Sequence, residues 1–137
     1  MALFPELNED ATVENVRELF ESDLPKLQNM AHVNYIEAKA QVISGMPSGG
    51  SRSNSSLDKS NNYAYANSML SEIIDACNSM RAPHREFLEL RYFKGLEWLE
   101  IEIRTGYSTR RGLQIIREAF LQFAWAFSDI KDLRVFK

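Results

Sequence analysis

The chain has 137 residues, of which 45% are hydrophobic and 26% charged, with 6 Gly, 4 Pro, 1 Cys and a formal net charge of -3. This is the composition of one soluble globular domain, or of a domain with an appendage, and it excludes a disordered polymer. A chain of this length buries roughly two-thirds of the surface its unfolded form exposes, so a core needs neither disulfides nor a structural metal. Cys77 lies within an apolar helical pattern and reads as a buried, reduced thiol of an intracellular protein. Met1 to Asp10 carries three acids and no base, unlike the basic start of a signal peptide. No apolar run approaches the roughly 20 residues that cross a bilayer, so no membrane partner is expected.

The charge is unevenly spread. Residues 1–80 hold 5 Lys+Arg against 11 Asp+Glu, a balance of -6, whereas residues 81–137 hold 11 against 8, a balance of +3. From Ile103 to Arg117 there are four arginines, Arg104, Arg110, Arg111 and Arg117, and no acid. Such a local patch suits a polyanion even in an acidic chain.

In chain order, Thr12 to Val42 reads as helix with Thr12 as N-cap, and Val13, Val16, Leu19 and Phe20 give a stripe that resumes at Leu27, Met30 and Ala31. Pro25 predicts a break or kink near Ser22 to Pro25, the break being favoured. Residues 44–62 hold seven Ser, three Gly and three Asn and read as a flexible linker between an N-terminal helical segment, 1–43, and a domain at 63–137. The Gly45 to Gly50 run lacks the Gly-Lys-Ser/Thr ending of a phosphate loop. Tyr63 to Arg81 is an amphipathic helix with Ala66, Met69, Leu70, Ile73, Ile74, Cys77 and Met80 inward. Pro83 opens another helix that stops at Gly95, a short helix follows over Glu97 to Thr105 with Trp98 and Ile101 inward and Leu99 as a further inward candidate, and Gly106 turns the chain. Ser108 then caps a long last helix whose expected core stripe is Leu113, Ile116, Phe120, Phe123 and Phe127. Gly112 near its start implies fraying or a close approach by another backbone. No segment alternates as a strand does. The expected fold is an all-α helical bundle with a C-terminal helix-turn-helix.

In that unit Ile101 would sit beneath the turn, Tyr107 would fill the space between the two helices, and Leu113 or Ile116 would tie the second helix to the core. Thr109, Arg110, Arg111 and Gln114 would face outward, with Ser108 at the cap. Arg pairs bidentately with guanine, Gln with adenine, and Thr touches phosphate or a thymine methyl. Arg104 and Arg117 suit phosphates, which set affinity and register. A solvated arginine face is the alternative for all of them.

The block Arg85 to Gly95, then Leu99-Glu100-Ile101, Gly106-Tyr107-Ser108, Gln114-Ile115 and Ala119-Phe120 resembles the promoter-reading fourth region of bacterial sigma factors. It departs at Gly112, where such helices carry an aliphatic residue, and at Arg104-Thr105, where an apolar residue precedes the glycine. Over Phe4 to Phe127 the chain resembles the ArpU family, phage-encoded transcriptional regulators also called autolysin regulatory proteins, with relatives among late-gene activators. That resemblance rests on Thr12-Val13-Glu14-Asn15-Val16, Gly45-Met46-Pro47-Ser48-Gly49, the Arg85 to Tyr92 block, Gly106-Tyr107-Ser108 and Ala119 to Ala124. It implies a small regulator of phage or prophage transcription that binds double-stranded DNA and is cytoplasmic in a bacterial host, and in that reading the acidic N-terminal half would serve oligomerisation or contact host RNA polymerase.

His32 and His84 stand on separate helices without Cys/His metal spacing, and no nucleophile motif is present, so neither enzyme chemistry nor a cofactor is expected. The pairs Glu100/Glu102 and Asp129/Asp132 read as solvated faces. Trp125 beside Phe120, Phe123 and Phe127 suggests apolar area beyond the core and a homodimer interface. Two further readings are a small terminase-like DNA-packaging protein and a sigma-like module that binds protein rather than DNA.

Overall fold

The computed structural model describes residues 3–31 and 57–137. Its first helix begins ahead of Thr12. Asn8, in extended backbone, accepts the Ala11 N–H on its side-chain oxygen at 3.1 Å and caps α1 (Glu9–Glu18), with Glu9 and Asp10 in the first turn, where the helix dipole favours acids. Thr12 is therefore not the cap. It is fully buried, and its hydroxyl donates to the Asn8 carbonyl at 2.8 Å while accepting the Val135 N–H at 3.0 Å.

The break expected at Ser22 to Pro25 does not occur. The backbone stays right-handed helical at Glu18 and Leu24, passing through one wide π-type turn (Leu19–Asp23) into α2 (Leu24–Ala31). The Leu24 N–H reaches back five residues to the Leu19 carbonyl. The wide turn resets the register, so Pro25 falls in the first turn of α2, where its missing N–H costs little. Residues 32–56, which include His32 and most of the expected linker, lie outside the described residues.

The third helix, α3 (Leu57–Asn78), starts before Tyr63, so 57–62 is helix rather than linker. Ala66, Leu70, Ile73, Ile74, Cys77 and Met80 are buried as the stripe predicts, and Met69 packs at the core margin. Cys77 is a free, buried thiol, and burial, with the Glu89 carboxylate adding to the effect, pushes it well above its ordinary range.

Pro83 sits in the first turn of α4 (Ala82–Leu88), which continues through a second wide turn (Glu89–Phe93) and ends at Gly95 with φ 69°. Two helices remain, α5 (Trp98–Thr105) and α6 (Thr109–Ala126).

The two wide turns face each other across an aromatic cluster. Phe20 packs on Tyr92 and Phe93 with ring centroids 5.4 and 6.2 Å apart, and on Phe120 and Phe123 of α6 at 5.6 and 5.0 Å. Through it α1 packs on α6, while α2 packs on α3 and α4 on α6, all in one continuous core. The first helix thus packs in cis on the helix that carries the basic segment. Among the described residues the molecule is all-α, with a single isolated antiparallel bridge between Leu7 and Phe136.

That bridge answers the expectation about Trp125. The N-terminal and C-terminal stretches run together, with the Asn8 N–H on the Val135 carbonyl at 2.7 Å and the Lys137 N–H on that of Glu6 at 2.9 Å. Trp125 meets Phe4 edge-on at 5.1 Å and Phe136 at 6.2 Å, and the Arg134 guanidinium lies over its ring at 4.9 Å. The chain's own ends thus half-bury Trp125, while Phe4 of that contact stays 55% exposed.

Candidate nucleic-acid interface

The turn between α5 and α6 is Gly106-Tyr107-Ser108. Gly106 takes φ 78°, a left-handed conformation that ends α5 at little cost only for glycine. Ser108 caps α6 as expected, its hydroxyl oxygen accepting the Arg111 N–H at 3.1 Å. Glu102 adds a second cap from the preceding helix, because its carboxylate accepts both the backbone N–H of Thr109, at 2.8 Å, and the Thr109 hydroxyl. The Thr109 hydroxyl bond, then its N–H, hold the Glu102 carboxyl below the ordinary Glu range. A negative charge here also meets the positive end of the α6 dipole.

Gly112 sets the rotation of α6. It is buried, and a Cβ built on it would lie 2.5 Å from Cζ3 of Trp98 and 3.1 Å from Cε1 of Phe87. The close approach is thus made by an indole of α5 and a phenyl of α4, not by backbone. With Gly112 inward, the buried stripe runs Ile115, Ile116, Ala119, Phe120, Phe123, Ala124 and Phe127. Leu113, expected in the core, is 53% exposed, and Ile116 alone of the two expected residues ties α6 inward. Ile101 is buried beneath the turn as predicted. Tyr107 does not fill the gap between α5 and α6: it stacks on Phe87 of α4, with centroids 5.5 Å apart, and stays partly exposed.

The sequence-predicted contact residues separate into three groups. Arg104 and Arg110 are exposed and make no hydrogen bond or ion pair among the described residues. Arg111 and Gln114 are exposed but ordered, since the Arg111 guanidinium donates to Gln114 Oε1 at 3.1 Å and lies 3.8 Å from Glu118, whose other oxygen is 2.9 Å from His84 Nε2. Thr109 and Arg117 are already partnered within the chain. Thr109 is bound to Glu102, and Arg117 reaches Asp10 at 2.9 Å and Glu9 at 3.7 Å, in the first turn of α1.

Sequence reasoning read Glu102 as part of a solvated face, where it instead caps α6, and it missed the roles of Glu118 and His84 and the wedge that Trp98 drives against Gly112. The Arg111 to Glu118 spacing of seven is two helical turns and was a readable signal. The cap from Glu102 and the wedge of Trp98 depend on the crossing of α5 and α6, which no local pattern encodes. Among the described residues no cluster of His, Cys, Asp and Glu could hold a metal ion, and no helix is long and apolar enough to cross a membrane. Comparison of the chain with profiles of known protein families, with curated proteins and with solved structures yields no match.

Proposed function

We propose that the chain is a sequence-specific, double-stranded-DNA-binding regulator of transcription that reads the major groove with the N-terminal half of α6. The observation that carries this reading is the glycine-turned, doubly capped junction of α5 and α6, beyond which Arg110, Arg111 and Gln114 share the exposed face of a helix start. A helix-turn-helix needs this combination: a tight turn that fixes the second helix, and base-pairing side chains on its first two turns. Arg110 and Gln114 are the residues best suited to bases, the first exposed and without a hydrogen bond or ion pair among the described residues, the second positioned by Arg111. Arg104, in the last turn of α5, suits a phosphate.

The resemblance to ArpU regulators and to the fourth region of sigma factors supports assigning the targets to phage or prophage late genes, with the bacterial cytoplasm as location and host RNA polymerase as a further partner. One helix-turn-helix reads only a few base pairs, so two copies on a two-fold site, with half-sites roughly 34–36 Å apart or a multiple of that, would supply the remaining specificity.

The test is a comparison of Arg110→Ala and Gln114→Ala with the parent on a bound duplex and its single-base variants. Each should weaken binding by about 1 to 3 kcal/mol and relax preference at one base pair. Equal binding by both variants and the parent, at two salt concentrations, would place the reading face elsewhere.

A further inference from the structure

The outward side of α5 carries a short pattern that is its own complement. Trp98, Ile101 and Thr105 are turned inward and Glu102 is occupied by Thr109, which leaves Leu99, Glu100, Ile103 and Arg104 exposed on adjoining positions. Leu99 and Ile103, one turn apart, are 68% and 76% exposed, among the most exposed large apolar side chains described. Beside them Glu100 and Arg104 repeat the same one-turn spacing with opposite charge, and neither has an ion pair among the described residues. Isolated apolar residues on a surface need no explanation, but two in register, flanked by an unpaired acid and an unpaired base, make a patch with a direction.

We infer that α5 is the contact through which two copies of this chain pair, antiparallel about a two-fold axis, with Leu99 of each copy against Ile103 of the other and Glu100 facing Arg104. A two-fold contact requires that if residue i meets residue j, then j meets i. The acid at one end and the base at the other satisfy that rule when a second α5 is laid antiparallel, and a parallel pairing would set like charges together. The occupant is therefore a second copy of this chain. This locates the two-fold pairing proposed above, but its test needs no DNA and stands apart from the reading of α6. It also gives Arg104 a partner other than phosphate.

Two eight-residue helices bury less than the roughly 1,200 Å² of a standard stable interface, so the pair is weak and forms at high concentration or on a two-fold site. The experiment is sedimentation of the full chain without DNA, up to about 1 mM, the weak end of specific association. Run beside it are Ile103→Asp, Glu100→Arg, Arg104→Glu and the double reversal Glu100→Arg with Arg104→Glu. All three substituted positions are exposed, and circular dichroism checks that each variant keeps its helix content. The expected result is a concentration-dependent dimer that is lost in Ile103→Asp and in each single reversal and regained in the double reversal, where the complement is restored. A parent that stays monomeric throughout overturns the inference. So does a dimer indifferent to Ile103→Asp, or one that the double reversal does not restore after the single reversals have removed it.

Discussion

At Gly112 two effects oppose each other. Alanine in a helix interior is favoured over glycine by about 1 kcal/mol, so on propensity alone Gly112→Ala should stabilise α6. Its Cβ, however, would meet Trp98 at 2.5 Å, and the Arg91 guanidinium also lies over that indole, 5.4 Å from the ring centroid. Overpacking of this kind costs about 1 to 3 kcal/mol, so the net effect expected is destabilisation, read from the midpoint of urea unfolding. Stabilisation instead would mean that the indole moves freely and does not set the rotation of the helix. Gly106→Ala is a cleaner case, because no atom lies within 4 Å of the added carbon and only the left-handed backbone opposes it. It should cost about 1 to 2 kcal/mol. Glu102 connects residue to pH. Its carboxyl is held below the ordinary Glu value by Thr109, so the stabilisation from this cap is complete above the unfolded value and is lost as pH falls through the lower folded value. An NMR titration of the Glu102 carboxyl should therefore show a midpoint on the acid side of a free Glu, and Thr109→Ala should move it back towards the ordinary value.

The elements were legible where local chemistry marks them. Ser108 caps α6, Gly106 and Gly95 end their helices with positive φ, and Pro83 opens α4, all from signals that act within a turn. The errors have a common physical origin, which is contact with residues distant in sequence. Leu113 fits an apolar period as well as Gly112 does, and only the Trp98 side chain decides which of the two is turned inward. Thr12 looks like a cap until Val135, 123 residues away, takes its hydroxyl. Of the site, the residue types and their helix were readable, but not which arginines are free. That distinction leads to a prediction about α6. Arg117 is committed to the exposed carboxylates of Asp10 and Glu9, an interaction of a kind worth about 0 to 1 kcal/mol, so Arg117→Ala should hardly change stability. If Arg117 leaves α1 for a phosphate when DNA binds, the same variant should weaken all duplexes alike and reduce the salt slope by about 1. Unchanged affinity and slope would keep Arg117 with α1.

The acidic and basic halves of the sequence share one core rather than standing apart. Phe20, from the wide turn after α1, is fully enclosed by Tyr92, Phe93, Phe120 and Phe123, and Thr12 binds the C-terminal strand-like stretch through Val135. Phe20→Ala should therefore cost about 3 to 5 kcal/mol and lower the stability of α6 together with that of α1, in a single transition. Thr12→Val keeps the shape but leaves the Val135 N–H without its acceptor, a loss of about 1 to 3 kcal/mol. Separate transitions by fluorescence and circular dichroism would contradict a common core. The acids of α1 also lie at the flank of α6, where Asp10 and Glu9 meet Arg117, so under the proposed function a polyanion would be steered to the end of the helix that carries Arg110, Arg111 and Gln114.

Whether that end reads DNA is decided most directly by selecting bound sequences from a random duplex library with the intact chain and titrating the enriched duplex with salt. The account predicts recovery of a defined sequence, related half-sites within it, and an affinity that falls linearly in the logarithm of salt concentration. Recovery of no sequence, together with no salt-sensitive binding to any duplex, would contradict it and leave Arg110 and Arg111 as a solvated face.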